Sequence, residues 1–227
     1  MASAPYDSEL DDAEPWAMNL VVRVERGVEV WHDDLLVAAG LATAALLYDE
    51  RASTSWQETI ERWNTGRIRK LCRRARGAHW EATEDLDHVE VTVGTATVRA
   101  FVPGPVSAQP SALARLQLSG TDLPRRVAPE LLGEVGWSWL EVVTSPTLEM
   151  TSAKTAVQVA HGVQLVLQAV SDHEREAWLA RPALHVRVAS EREWAAEVRE
   201  GEVVVFDAGF TEIAPNSQTV RARMRRV

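Results

Sequence analysis

The segment 150–162 carries polar side chains at a spacing that could do chemistry. It reads MTSAKTAVQVAHG, and a helix over residues 152–170 places Lys154, Gln158 and His161 on one face, opposite a run of apolar side chains. A lysine in the first helical turn is electrostatically unfavourable, because this end of a helix attracts anions through its free N–H groups. The position therefore indicates either a lysine that serves an anion, such as a phosphate or a developing oxyanion, or a solvated lysine on an exposed face.

A second segment, residues 207–217, begins with a carboxylate at the end of a predicted strand. It reads DAGFTEIAPNS and follows an apolar strand expected over residues 202–206. Ligand sites in α/β sheets gather at the ends of strands, so Asp207 could act there as a general base. Asp-Ala-Gly is also good turn chemistry, which leaves an ordinary turn as the alternative.

Together, the two segments resemble the motifs of type II peptidyl-tRNA hydrolases. The order Met-x-x-x-Lys-x-Ala-x-Gln-x-x-His, then Asp-Ala-Gly-x-Thr-Glu-Ile-x-Pro, is similar to that family, and the resemblance covers roughly residues 139–227. It implies that Lys154 and Asp207 are catalytic. Gln158 and Thr211 would lie in the same site, and no metal or organic cofactor is implied. Three positions depart from the family pattern: Ala153, Phe210 and Asn216.

The elements that must position these residues occur twice along the chain. The predicted order is strand, helix, helix, strand, helix, strand, strand, with roughly 115–120 residues between the copies. Trp63 corresponds to Trp178, and Trp80 corresponds to Trp194. This alternation predicts an α/β protein of two tandem α/β sandwich repeats, each a small mixed sheet with helices on both faces, packed as a pseudo-dimer.

Four segments follow from this pattern, and the first repeat is expected to be degenerate. Asp34, Ala38 and Leu41 stand where the second repeat has its lysine, glutamine and histidine. The first repeat's helix is apolar all round, which predicts that it is buried. The expected segments are an acidic leader (1–15), the degenerate repeat (16–118), a linker (119–136) and the catalytic-type repeat (137–227).

The first repeat contributes positive charge instead. Residues 67–86 begin strongly basic and are predicted to end as a helix. This stretch follows Trp63 and contains Trp80. Arginines near aromatic side chains suit phosphate and stacking contacts with RNA, although a solvated basic face is the alternative. The predicted RNA-binding residues are Arg67, Arg69, Lys70, Arg73, Arg74 and Arg76.

Composition is that of an ordinary globular protein. The chain has 227 residues and a net charge of −9, which excludes collagen, disulfide scaffolds and disordered chains. The longest apolar run is too short to span a membrane, and the single cysteine, Cys72, favours a reducing, cytoplasmic setting. Neighbouring arginines would lower the pKa of that thiol, but an inert cysteine is expected. The histidines show no metal-ligand spacing.

The resemblance implies a hydrolase that cleaves the ester between a peptide and the tRNA 3′ end. Asp207 would orient or deprotonate water, while Lys154 and the helix N-terminus would stabilise the oxyanion or the departing alkoxide. The partner would be peptidyl-tRNA, with no membrane, and two such chains could form a homodimer. The alternative is a non-catalytic module of the same fold that binds tRNA or a protein.

Overall fold

Strands and helices alternate through residues 14–126, 138–209 and 212–226, which are the residues described by the computed structural model. The first half contains β1 (Trp16–Arg23), α1 (His32–Leu47), α2 (Gln57–Thr65), β2 (Lys70–Ala75), α3 (Ala78–Glu81), β3 (His88–Val93), β4 (Ala96–Phe101), β5 (Gly104–Pro105) and α4 (Ser111–Ala114). The second half contains β6 (Ser138–Thr144), α5 (Ser152–Ala169), α6 (Asp172–Ala180), β7 (Leu184–Val188), α7 (Glu191–Ala195), β8 (Val203–Phe206) and β9 (Gln218–Arg226).

Each half forms a mixed sheet, and the strand order is the same in both. The sheets run β2-β1-β4-β3 and β7-β6-β9-β8, and the short β5 pairs with β1. In each sheet the first two strands along the chain are parallel, and β4 in the first sheet and β9 in the second run antiparallel to both of their neighbours. The α/β class and the two-repeat organisation are therefore confirmed.

Helices α1 and α5 pack against each other at the centre of the molecule. Each also lies on its own sheet and contacts one strand of the other sheet, α1 on β7 and α5 on β2. Gly40 permits this approach, because a Cβ there would lie 2.6 Å from Leu184 Cδ2 and 3.0 Å from Val163 Cγ2. One hydrophobic core runs through both repeats, and α1 is buried on nearly all sides, as its all-round apolar sequence predicted.

The first pair of matching tryptophans makes the same contact in each repeat. The indole Nε1–H of Trp63 donates to the carbonyl of Arg69 at 3.0 Å, just before β2. That of Trp178 donates to the carbonyl of Ala183 at 2.9 Å, just before β7. Both rings are almost fully buried, so each ties the second helix of its repeat to the start of the next strand.

The second pair of tryptophans stacks on a buried arginine from the last strand of each repeat. The Arg99 guanidinium lies 4.0 Å from the ring centroid of Trp80, and that of Arg221 lies 4.9 Å from the ring centroid of Trp194. Each arginine also donates to the backbone carbonyl of its tryptophan, at 3.0 Å and 2.7 Å. The correspondence of these tryptophans is thus confirmed down to single hydrogen bonds.

The outer faces of the two sheets differ. The first is covered by α3 and α4, through an apolar cluster that includes Trp80 and Leu113. On the second, the buried carboxylate of Glu141 accepts from Arg187 at 3.1 Å and from Arg223 at 2.8 Å. Burial alone would raise the pKa of Glu141, but these guanidinium groups outweigh it and lower that pKa.

Three local expectations need correction or fall outside the described residues. The basic stretch 67–86 contains strand β2 and only one short helical turn, α3. The helix expected at 191–198 ends at Ala195, because the next residue is extended. Most of the leader (1–13) and of the linker (127–137) lies outside the described residues, so the segment boundaries stay a prediction. Within the described residues, every helix is too short or too polar to cross a bilayer.

Candidate functional site

The site is built around the first turn of α5. Thr151 caps the helix, and its hydroxyl accepts from the backbone N–H of Lys154. Each of the first four backbone N–H groups has an acceptor within the protein. Thr151 N–H donates to Glu212 (2.9 Å) and Ser152 N–H donates to Asp122 (3.2 Å). Ala153 N–H donates to the Thr121 carbonyl (3.1 Å), and Lys154 N–H donates to Thr151 Oγ1 (3.3 Å). The expectation that free N–H groups here would hold an anion is therefore wrong, since the protein itself occupies them.

Lys154 forms an ion pair with Asp207. Its Nζ donates to Asp207 Oδ1, and the side chains are only 11% and 8% exposed. One turn further along α5, Gln158 Nε2 donates to the same oxygen at 3.0 Å. The structure thus brings together three of the four predicted catalytic residues.

The loop that carries Asp207 fixes the direction of its carboxylate. Asp207 exchanges backbone hydrogen bonds across the base of the loop, with its N–H donating to Ser217 and its carbonyl accepting from Asn216. Gly209 N–H donates to Asp207 Oδ2 at 2.9 Å. Gly209 is left-handed, with φ of 81°, and a Cβ there would lie 2.6 Å from the backbone nitrogen of Pro215. Only glycine fits this close approach.

Thr219 on β9 is a site residue that the sequence patterns did not identify. Its hydroxyl is fully buried and lies 2.8 Å from Gln158 Oε1 and 3.1 Å from the carbonyl of Val205. By donating to Gln158 Oε1, it orients the amide so that the NH₂ group faces Asp207. No pattern in the sequence could have revealed this, because Thr219 meets α5 only through the register of the sheet.

The two motifs also contain Thr211, Phe210 and His161. Thr211 and Phe210 lie outside the described residues. His161 is one turn beyond Gln158 and lies 3.1 Å from Lys70 Nζ in the contact with the first repeat. Burial lowers the pKa of His161 well below its ordinary value, and the charges of Lys70 and Lys154 lower it further. His161 is thus a neutral residue of the repeat interface.

The equivalent position in the first repeat has the opposite charge and is filled. Asp34 is fully buried and accepts from both Nη atoms of Arg126, at 2.5 and 2.8 Å, and from Thr95 N–H at 2.7 Å. Burial alone would raise the pKa of Asp34, but the hydrogen bonds from Arg126 and Thr95 outweigh it and lower that pKa. Arg126, which belongs to the predicted linker (119–136), therefore closes the degenerate site.

The predicted RNA-binding cluster does not form one exposed face. Lys70 is 5% exposed and packs on α5, while Arg73 is 8% exposed and donates to Asn19 and to the Leu116 carbonyl. Including these two in an exposed basic surface is wrong, because alternate residues of β2 point into two different layers. Arg74 binds Gln117, and Arg67, Arg69 and Arg76 are partly or fully exposed.

Two other candidate chemistries find no support among the described residues. Burial raises the pKa of the Cys72 thiol to about 12, which outweighs the effect expected from neighbouring arginines and leaves the thiol unreactive. In the described part of the chain, no group of three or more His, Cys, Asp or Glu side chains could hold a metal ion.

Comparisons with known proteins leave the chain to be interpreted from its own geometry. No family model matches the sequence, and neither a curated protein nor a solved structure matches it.

Proposed function

We propose that the chain is a peptidyl-tRNA hydrolase, which cleaves the ester between a peptide and the tRNA 3′ end. The observation that supports this most directly is the convergence of Lys154 and Gln158 on one oxygen of Asp207. These residues come from two distant segments, whose motifs resemble those of type II peptidyl-tRNA hydrolases. An ester hydrolase needs a base for water and a cation for the oxyanion, and the cluster supplies both.

The two carboxylate oxygens of Asp207 suit different tasks. Oδ1 receives the lysine and the glutamine, whereas Oδ2 receives the Gly209 N–H and has further acceptor capacity. A water bound to Oδ2 would be oriented and deprotonated there. Lys154, drawn from Oδ1 towards the ester, would stabilise the oxyanion and then the departing ribose oxygen.

Hydrolysis of N-blocked aminoacyl-tRNA tests the proposal. The wild type should release free tRNA, and Asp207→Asn should lower kcat by about 10²–10⁴-fold, the usual range for loss of a general base. Lys154→Ala should lower kcat by about 10²–10³-fold, as for loss of an oxyanion donor.

Arg175→Ala is the matched control, because Arg175 pairs with Asp172 within α6 and donates to the Leu167 carbonyl, at the opposite end of α5 from Lys154. It should retain wild-type activity. An inactive wild type, or Lys154 and Asp207 variants as active as the wild type, would refute the hydrolase proposal.

The near-complete burial of the Lys154–Asp207 pair favours one alternative, a non-catalytic module of the same fold that binds tRNA or a protein. In that case the ion pair would only fix the loop 207–217 against α5. This alternative predicts tRNA or protein binding that survives Asp207→Asn, with no release of the peptide by the wild type.

A further inference from the structure

Five polar side chains form a connected group inside the contact between α5 and the first repeat. Lys70 Nζ donates to Gln164 Oε1 and lies 3.1 Å from His161 Nδ1. Asn64 Oδ1 accepts from the side-chain amides of Gln164 and Gln168, at 2.9 Å each. Each of these contacts joins one repeat to the other. We call Asn64, Lys70, His161, Gln164 and Gln168 the inter-repeat network.

The pseudo-symmetric contact, between α1 and β7, is apolar. Leu184 takes the place of Lys70, because each is the first residue of its strand and pairs with the equivalent residue of the preceding strand. Alignment of α1 and α5 on their first residues, and of Trp63 with Trp178, gives the other equivalences. The counterparts of the network are the aliphatic Leu41, Ala44, Leu179 and Leu184 and the aromatic Tyr48, and all five belong to the hydrophobic core or pack against it.

Stability alone does not explain why one of the two contacts is polar. The apolar side chains around Leu184 hold an equivalent contact, and replacing buried polar groups by packed apolar ones is often neutral or stabilising. Gln164 is fully buried and Lys70 is 5% exposed, so both have lost their hydration. Burial lowers the pKa of Lys70 well below its ordinary value, which reflects that cost.

Pairing specificity does explain the difference. Suppose that the second repeats of two chains paired with each other. Gln164 and His161 of one chain would then face Leu184 and Leu179 of the other, which form no side-chain hydrogen bonds. If two first repeats paired, Lys70 would face apolar side chains such as Leu41. Both arrangements bury polar groups without hydrogen-bond partners, which is unfavourable because these groups lose their hydration and gain nothing in return. Buried polar groups fix partner choice in the same way in coiled coils.

We propose that the inter-repeat network makes the first repeat pair with the second and rejects pairing between like repeats of two chains. The partner that fits the polar face of α5 is thus the chain's own first repeat. Lys70 is the member of the network that the first repeat places against His161 and Gln164 of the second. It is one of only two lysines in the sequence, the other being Lys154. The proposal does not depend on any catalytic activity.

An apolar variant tests it in the full chain. Asn64→Leu, Lys70→Leu, His161→Leu and Gln164→Ala together copy the pattern of the opposite contact. Wild type and variant are unfolded in urea and refolded over a wide range of chain concentration. Their molar masses are then measured by size-exclusion chromatography with light scattering. The wild type should keep one mass throughout, whereas the variant should form species of about twice that mass whose fraction rises with concentration.

The matched control carries as many apolar replacements on exposed positions of α2 and α6: Gln57→Leu, Glu58→Leu, His173→Leu and Glu176→Leu. It should refold to the wild-type mass. Should the four-site variant fail to fold, Lys70→Leu with Gln164→Ala removes only the two buried members and should show the same association. A folded variant whose mass equals that of the wild type at every concentration would overturn the proposal.

Discussion

At the scale of residues, the site depends on a few side chains that hold one another in place. Asp207 receives a lysine, an amide and a backbone N–H, while Thr219 sets the orientation of the amide. The start of α5 is held from the first repeat as well, because His32 Nδ1 lies 2.8 Å from Ser152 Oγ. The position of Lys154 therefore depends on contacts that cross the repeat boundary.

We predict that His32 makes the protein less stable as the pH falls. Burial, together with a smaller effect of the Arg125 charge, lowers the pKa of His32 to about 4. The unfolded state binds a proton near pH 6.5 and the folded state only near pH 4, so acidification favours unfolding between these values. The contribution of His32 to the free energy of unfolding should be about 2 kcal/mol lower at pH 5 than at pH 7.

Urea unfolding of the wild type and of His32→Gln at pH 7 and pH 5 measures this contribution. Glutamine can still bind the Ser152 hydroxyl but does not titrate. The loss of stability on acidification should be smaller in His32→Gln by about 2 kcal/mol. Equal losses in the two proteins would show that the buried imidazole does not contribute.

Lys154, Gln158 and Asp207 were predicted as site residues through the resemblance to the hydrolase motifs. Their spacing along one helix and the strand end before Asp207 are local information, but on their own they left a solvated lysine and an ordinary turn open. Thr219 could not be predicted, since its contact with Gln158 arises from strand register across 61 residues. Lys70 and Arg73 were wrongly assigned to a surface, because their internal partners come from elements far along the chain.

At the scale of elements, the loop 207–217 has one glycine that cannot be replaced without strain. Gly209→Ala would place a Cβ 2.6 Å from the backbone of Pro215 at a left-handed φ, so the loop must shift and move Asp207 with it. We predict a loss of hydrolysis of at least about ten-fold, because small misplacements of a catalytic group are costly. The assay is the release of tRNA described above.

Gly201→Ala separates crowding from backbone strain. Gly201 also has a positive φ, 75°, but no atom lies within 4 Å of the Cβ that alanine would add. Its replacement should lower stability slightly and leave hydrolysis unchanged. If Gly201→Ala and Gly209→Ala lowered activity equally, the close approach to Pro215 would not matter for the site.

Most elements could be predicted from periodicity, and the exceptions have physical reasons. The double occurrence of strand, helix, helix, strand, helix, strand, strand is visible in the sequence, and Trp63 and Trp178 mark it. Strand β2 was expected only as a member of the repeated order and was given no bounds, because its charged residues hide the apolar alternation of a buried strand. Charge inside a sheet is tolerated here since each buried cation has acceptors from neighbouring layers.

At the scale of the whole molecule, the described part of the linker (119–126) binds the starts of both central helices. The carbonyl of Pro124 accepts from His32 at the start of α1, and that of Thr121 accepts from Ala153 at the start of α5. Arg126 fills the degenerate site by binding Asp34. The same short segment therefore closes one site and supports the other.

We predict that Arg126→Met destabilises the protein by about 3–5 kcal/mol, because it leaves the buried carboxylate of Asp34 without its counter-charge. Urea unfolding at neutral pH measures the change. Arg125→Met is the control, since Arg125 is exposed and donates at 3.2 Å to the carbonyl of Met150. It should change stability by less than about 0.5 kcal/mol. Similar losses for both variants would contradict the assignment.

The scarcity of lysine gives the folded chain few side-chain amines that a reagent could modify. Its 24 basic residues include only two lysines, and hydrogen bonds hold both ammonium groups: Lys70 donates to Gln164 on α5, and Lys154 on α5 donates to Asp207. Reagents that acylate primary amines would therefore modify these side chains only when the protein opens locally. Modification of Lys154 would report movement of the Asp207 loop, and modification of Lys70 would report separation of the repeats. The rates at which the two amines are modified would thus measure the opening of two different contacts in the same molecule.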